Sequence, residues 1–553
     1  MKQKFTALLA IIMIMTLVLT ACGGNNTVPQ AEVNDPPTAV NNENKDEVES
    51  TEVFPLKEKV SLKAVAPRPP LAPSDFNTQP LIKEIEQKTN VHVEWDTIVD
   101  TDYLEKRNLL LASGNLPDFF LGSRFSDTEL IKYGKDGTII PLNDLIENHM
   151  PNLKAILDSR PDIKAAITAP DGNIYALPAG EEIGSGQEEI GANPDFLYIN
   201  QDWLDALKLE MPTTMDEYTA VLKAFKTQDP NGNKKADEIP LTYVDNFWTG
   251  DIGVLYGAFG VPDKTHRPAN PTYIDHLNVD NGVVTFSAQQ DGFKEATTYI
   301  HQWFKDGLVD LEAFTHDYGS YFARGKTEIE TIGSMIWWDK NDVTGPERGE
   351  HWKIVPPFEG MVIKWNSGGG LGRDGSAITK DNKNPEVTAA WLDIMYEPVM
   401  AAQVRFGPIG VWYDQDANGK LVGKTDLNNP GELRQSTAIS NGIGLLLAEF
   451  RGKVDYIEPR AMQRVNDSVK YYVPQMQKEK FPNIFFSEDE LKVIERLKTD
   501  ISAHTNKMRA KWLIQGGVEK DWDEFQATLK KMGIDELLAA HQSGYDRYMA
   551  AQK

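Results

Sequence analysis

Cys22 is the only cysteine in a chain of 553 residues. No disulfide can form within the chain, so its fold must be held by packing, hydrogen bonds and bound ions. A chain this long can bury a large core and is expected to divide into two or more lobes. Acidic residues outnumber basic ones, 82 to 57, which predicts a strongly negative surface. Nucleic acid is excluded as an expected partner, because no basic stripe offsets the repulsion from phosphate.

The position of that cysteine carries further meaning. Lys2 and Lys4 precede an apolar run from Phe5 to Leu19, and small residues follow. This is the layout of a secretory signal peptide over residues 1–21, too short to span a bilayer comfortably. Leu19-Thr20-Ala21-Cys22 resembles the bacterial lipobox. That resemblance implies cleavage before Cys22, lipidation of its sulfur, acylation of the new amino terminus, and a lipid anchor on the extracellular face of the cell membrane. An uncleaved apolar anchor, or an ordinary signal peptide with an incidental cysteine, are the alternatives. No other stretch approaches the roughly 18 apolar residues that a membrane span requires. Residues 22–56, rich in Gly, Asn, Pro, Thr, Glu and Asp, read as a solvated tether behind the lipidated cysteine.

The folded part opens with alternating Val60-Ser-Leu-Lys-Ala-Val-Ala, a strand signal, and a turn through Pro67, Pro69 and Pro70. Leu81, Ile82 and Ile85 fit one helix face, Val91 to Trp95 alternates again, and Tyr103, Leu104, Leu109 and Leu110 fit a second helix. Strand, helix, strand, helix is the order of an α/β lobe. Further on, Thr214-Met-Asp-Glu217 has capping-box spacing, and Tyr218, Val221, Leu222 and Phe225 follow at helical intervals. The spacing predicts a helix from Thr214 to Lys226.

Directly after it, residues 229–240 read D-P-N-G-N-K-K-A-D-E-I-P. Oxygen-bearing side chains recur at alternate positions, as a hard divalent cation such as calcium requires. The donor set read from this spacing is Asp229, Asn231, Asn233, the carbonyl of Lys235, and Asp237, with Glu238 closing the site. Lys234 stands where an EF-hand has glycine, and Pro240 stands where it has a bidentate glutamate. The competing reading is a solvated turn, but three carboxylates within ten residues repel one another without a cation. A structural calcium ion is therefore expected. A weaker echo, Asp414 to Lys420, is flanked by strand-like residues around Asn418-Gly419 and reads as a hairpin turn.

Several short segments, in this order, resemble the lipid-anchored extracellular solute-binding proteins of bacterial ABC importers, in the branch similar to the alginate-binding proteins. They are the lipobox; L-A-S-G-N-L-P-D at 111–118; D-W-L-D-A-L-K-L at 202–209 with the 229–240 loop; A-R-G-K at 323–326; N-P-E-V-T-A-A-W-L-D at 384–393; F-G-P-I-G-V-W-Y at 406–413; and W-L-I-Q-G-G through Y-D-R-Y at 512–548. The resemblance implies a two-lobed α/β fold of the periplasmic-binding class II type, with crossing strands and a ligand cleft between the lobes. It places the crossings near 174–178 and 326–335, lobe one at 57–177 with 331–384, and lobe two at 178–330 with 385–553. It also carries the calcium loop over to the residues named above.

A carbohydrate cleft needs flat apolar faces to stack on sugar rings and polar groups to satisfy hydroxyls. The candidates are Trp248, Trp337, Trp338, Trp365, Trp412 and Tyr413, with Ser113, Asp118, Glu182 and Arg373 among the polar residues; core packing is the alternative for each aromatic. Trp203, Trp303, Trp391, Trp512 and Trp522 lie on helical patterns and read as packing residues. The function implied is a non-enzymatic, monomeric receptor that captures an oligosaccharide and delivers it to membrane permease subunits. Against an enzyme, no compact catalytic motif is present. A secreted glycan-processing enzyme, and a peptide-binding or sensor receptor on the same fold, remain the alternatives.

Overall fold

The computed structural model describes residues 54–182, 195–245, 247, 249–264, 275–364, 371–424, 427, 430–439, 442–455 and 459–553. Four strands come first: Val60–Arg68 (β1), Val91–Val99 (β2), Phe119–Leu121 (β3) and Leu177–Glu181 (β4). Phe196–Asn200 (β5), Ile239–Thr242 (β6) and the hairpin Leu277–Asp280 (β7) and Val283–Phe286 (β8) follow. Ile332–Trp337 (β9), Trp352–Ile354 (β10), Leu371–Ile378 (β11), the hairpin Tyr413–Gln415 (β12) and Leu421–Gly423 (β13), and Gly444–Leu446 (β14) come later.

Two sheets organise the molecule, one of order β14-β4-β11-β3-β1-β2 and one of order β10-β5-β9-β6. Alternation along β1 explains the first. Leu62, Ala64 and Ala66 enter the core on one face, and Val65 enters the core on the other. A sheet buried on both faces suits the parallel pairing of β1 with β2 and β3. In the second sheet, β9 is buried at every position. Gly333 is required there, because a Cβ would meet the Phe225 ring at 2.4 Å and the Trp203 ring at 2.9 Å.

The directions of the strands set which edges the chain connects. β11 runs antiparallel to β3 and β4, so β1, β2, β3 and β4 all end at one edge of the first sheet. β5 runs antiparallel to β9, and β6 runs parallel to it. The chain therefore passes from β4 to β5, and from β10 to β11, between the carboxyl edge of the first sheet and the carboxyl edge of the second. In open α/β sheets this edge is where ligands bind.

Sheet membership corrects the sequence-based boundaries. β9 falls in the segment 331–384 assigned to lobe one, yet it lies between β5 and β6 in the second sheet. β14 falls in 385–553, assigned to lobe two, yet it pairs with β4. Trp391 and Leu392 likewise join the core of the first sheet. The crossing expected at 174–178 comes after β4, and that expected at 326–335 comes after β10, because Leu177 and Ile332–Met335 are strand positions within sheets.

Local signals account for the helices. Thr214 caps Met215–Thr227, its hydroxyl accepting from the Glu217 amide at 3.1 Å, while the Glu217 carboxylate reaches back to Thr213 rather than Thr214. The five helix tryptophans are buried as expected. Ser487 and Glu490 form a capping box that starts Glu488–Gln515, the longest of three C-terminal helices. That helix packs along Asp291–Lys305, whose Phe293, Ile300, Trp303 and Phe304 are buried. Each such side chain contributes about 1.5–3 kcal/mol. The helix also carries Arg509 into the second lobe.

Candidate functional site

At the carboxyl edge of the first sheet lies a pocket of about 500 Å³. Its walls are strand ends: Pro67 and Pro69 at the end of β1, Asp100 after β2, Gly122 and Arg124 after β3, Gly180 in β4. Gly122 takes φ +73°, which lets the chain turn sharply out of β3. Charges here are compensated. Arg405, 6% exposed, places Nε and Nη2 on Glu181 Oε2 at 3.0 and 2.9 Å. Arg434 donates to the same oxygen at 3.1 Å and lies 4.4 Å over the Phe406 ring. Arg124 pairs with Asp100 at 2.6 Å. Burial pushes the Asp374 carboxyl above its usual range, opposed by nearby arginines.

The carboxyl edge of the second sheet is also charged. Asp195, just before β5, accepts from the Gly250 amide at 2.6 Å and pairs with Lys264 at 2.6 Å. Arg509, 2% exposed, holds Asp251 at 2.7 Å and lies 3.8 Å from Asp245. Burial raises Asp245 to about 6, with Arg509 opposing the shift. Deeper in, His276 faces Asp263 Oδ1 at 2.9 Å through Nδ1 and Asn506 Oδ1 at 2.9 Å through Nε2. Both ring nitrogens face acceptors, so the imidazolium form is favoured. Burial works against the charged ring, but Asp263 outweighs it and raises His276; Asp263 is held well below the carboxylate range in return, against its own burial. Beside this cluster Phe247 stacks between Trp337, 5.9 Å and 8° away, and Tyr318, 5.4 Å and 23° away.

The structure distributes the candidate residues unevenly. Ser113 and Asp118 lie before β3, at the opposite edge of the sheet from the pocket, because β3 runs parallel to β1. Ser113 bonds to the Leu110 carbonyl at 2.9 Å, and Asp118 accepts from the Lys63 amide at 2.7 Å. Arg373 is a clamp rather than a ligand contact: 4% exposed, it pairs with Asp127 at 3.1 Å, donates to the Ile484 carbonyl at 2.8 Å and packs on Phe485. Trp337 is buried in the ring stack, and Trp338 lies 4.1 Å from the Arg464 guanidinium. Trp412 and Tyr413 form a small core with Phe406, one layer behind Arg434. Glu182 follows β4 at the carboxyl edge but is not among the residues that line the pocket, and its carboxylate is engaged by Arg160 at 3.0 Å. Cys22, Trp248 and Trp365 lie outside the described residues. Sequence reasoning passed over Asp100, Arg124, Arg405, Arg434, Asp245 and Arg509. The position of Asp100 just past an alternating run was the one available signal.

The 229–240 loop is built from side chain-to-backbone turns. Asp229 accepts from the Lys234 amide at 3.0 Å, Asn231 from Asn233 at 3.0 Å, and Asn233 from Lys235 at 2.7 Å. These bonds curl the loop inward around its acidic groups. Gly232 takes φ +69° and Lys234 φ +62°, so lysine adopts the conformation that glycine takes more easily. Asp229 Oδ1 and Glu238 Oε1 are buried without a hydrogen-bond partner, as cation-binding oxygens would be. Among the described residues, no three His, Cys, Asp or Glu side chains converge as a metal cluster; the donor set of this loop mixes carboxylate, amide and carbonyl oxygens. It fits a hard cation on chemistry. No helix among the described residues is long and apolar enough to cross a membrane.

Residues 80–409 match a family model described as bacterial extracellular solute-binding protein. The chain is 37% identical over 564 positions to the fructooligosaccharide ABC transporter substrate-binding protein FusA of Streptococcus pneumoniae serotype 4 (strain ATCC BAA-334 / TIGR4), covering 100% of this chain and 99% of FusA. Its structure is similar to that of S. pneumoniae FusA in complex with kestose, with a TM-score of 0.76 and 38% identity over 89% of this chain and 99% of that one. A FusA EF-hand mutant in complex with fructo-nystose matches at TM-score 0.76 and 37% identity, with the same coverage. The alginate-binding protein AlgQ2, solved without calcium ion, matches at TM-score 0.63 and 26% identity over 90% of this chain and 99% of that one.

Proposed function

The chain belongs to the bacterial extracellular solute-binding proteins, and we propose that it captures a neutral oligosaccharide of the fructooligosaccharide class between its two lobes. It is the carbohydrate-binding component of an ABC importer, and its relatives are binding proteins rather than enzymes. The observation that carries the ligand class is full-length similarity to FusA. The pocket supports it: Asp100 and Asp374 line it with Arg124, Arg405 and Arg434, Arg124 pairs with Asp100, and Glu181 behind the wall pairs with Arg405 and Arg434. Such a lining offers donors and acceptors to hydroxyls, which both donate and accept, without leaving net charge for a uronate to neutralise.

Asp229, Asn231, Asn233, the Lys235 carbonyl, Asp237 and Glu238 hold a structural calcium ion. The ion supplies the positive charge that lets these acidic groups gather, and the loop then joins Met215–Thr227 firmly to β6. The inward curl of the loop, its two unpartnered oxygens and the EF-hand of FusA support this reading. Cys22 carries the lipid that tethers the mature protein beside its permease subunits on the extracellular face, where it works as a monomer. Mass spectrometry of the mature amino terminus checks the anchor, and an unmodified Cys22 would contradict it.

A thermal-shift panel of neutral fructooligosaccharides, oligogalacturonates and peptides, with chromatography of the recovered sugars, tests the ligand class. Raised melting temperature with kestose, recovered intact, is expected. Cleaved sugar, or stabilisation by peptides alone, would overturn the reading.

A further inference from the structure

We infer that Asp245, which faces Arg509 two residues before the Phe247 ring that stacks on exposed Tyr318, is the carboxylate with which the second lobe grips a sugar of the captured oligosaccharide. This rests on the carbohydrate-receptor reading and names the contact made by the lobe that faces the pocket. Asp245 lies just past the end of β6, at the edge of the second sheet that both crossings join to the pocket edge of the first. The carboxyl groups around it are already engaged. Asp251 is taken by Arg509 at 2.7 Å, Asp263 by His276 at 2.9 Å, and Asp195 by Lys264 at 2.6 Å. Asp245 is different: its one ion pair, to Arg509, is long at 3.8 Å, and its side chain keeps 25% exposure.

Its backbone is firmly placed. The Asp245 amide donates to the Ala313 carbonyl at 3.0 Å, and the Tyr243 carbonyl lies 2.8 Å from His316 Nε2. These bonds join the 243–245 segment to the one that leads into Tyr318. Tyr318 ends the stack that runs through Phe247 to Trp337, and is 52% exposed. A ring braced from behind and open in front offers a flat apolar face to a sugar. A carboxylate on the segment that carries the stack accepts hydrogen bonds from two hydroxyls, and such charge-assisted bonds are the strong ones. Arg509 opposes the upward pull of burial on the carboxylate without occupying it. The same negative charge disfavours acidic sugars, in keeping with the balanced pocket opposite.

Kestose binding by the full mature protein is measured by calorimetry for wild type, Asp245→Asn and Tyr318→Ala. The Asn variant is isosteric, and Arg509 keeps Asp251, so its melting temperature is expected to stay near that of wild type. Its Kd is expected to rise about tenfold or more, as the loss of a charged hydrogen bond implies, with a similar rise for Tyr318→Ala. A wild type that binds kestose while Asp245→Asn stays within about threefold of it overturns the inference alone; any larger weakening supports it. A wild type that binds no sugar overturns the receptor reading and the inference with it. A crystal structure of the wild-type complex decides independently of any variant: an Asp245 oxygen hydrogen-bonded to a kestose hydroxyl supports the assignment, and a carboxylate out of reach of the sugar refutes it.

Discussion

Arg373 illustrates how burial assigns a role that residue type alone does not. A loop arginine near the cleft is a natural candidate to bind sugar, yet it lies between Asp127 and the 483–484 segment with both charged side chains 4% exposed. Removing one partner of a buried pair leaves the other charge uncompensated, so Arg373→Ala is expected to lower the unfolding free energy by about 3–5 kcal/mol in urea titrations. A change under about 1 kcal/mol would place it with solvent-exposed pairs instead. His276 and Asp263 make the pH-dependent counterpart. His276 is raised above its ordinary 6.5, so its contribution is complete below that pH and is lost as pH rises through the folded value. Asp263 is held below its ordinary 3.8, so its contribution is present above that pH and is lost only as pH falls. Stability is therefore expected to decline as pH rises above about 6.5, and the neutral pair Asp263→Asn with His276→Gln should flatten that slope. Equal slopes in urea titrations would contradict the pairing. The partners of Arg373 and Arg509 were not legible in the sequence, because Arg373 and Ile484, or Asp251 and Arg509, meet only after more than a hundred intervening residues have folded.

Elements were more legible, because their signals are local. Alternation marked β1 and β2, and the Thr214 cap marked its helix to within a residue. The hairpin around Asn418-Gly419 formed as a turn, with Asp416 accepting from Asn418 and Lys420. What failed was the assignment of strands to sheets. β9 reads as an apolar run whichever sheet it joins, and pairing partners distant in sequence decide the matter. The calcium ion proposed for the 229–240 loop acts within one element. Exhaustive chelation is expected to lower the melting temperature and added calcium to restore it, with stabilisation of about 2.7 kcal/mol at a hundredfold excess over Kd. Asp229→Ala should abolish the response, and an identical melting curve with and without chelator would defeat the site.

At the scale of the whole molecule, two crossings join the carboxyl edges of two sheets, and the ligand is to be held where those edges meet. The α/β class and the two-lobed plan were legible from strand–helix order and from family resemblance. The walls of the cleft were not. Their arginines and acids come from strand ends, from helices such as Pro398–Phe406, and from a C-terminal helix that delivers Arg509. Among the described residues, the candidates Trp337, Trp412 and Tyr413 became core, since large rings pack behind a binding surface as often as they line it. Closure of the lobes over a bound sugar is a common motion for this architecture.

The ligand proposed for this cleft is a neutral oligosaccharide, released unchanged. Calorimetric titration of the calcium-loaded mature protein with kestose and, in parallel, with an oligogalacturonate of equal length tests it most directly. Saturable one-to-one binding of kestose, recovered intact, is expected, with binding of the acidic sugar weaker by at least about tenfold. Equal or tighter binding of the oligogalacturonate, or no binding of kestose, would contradict it.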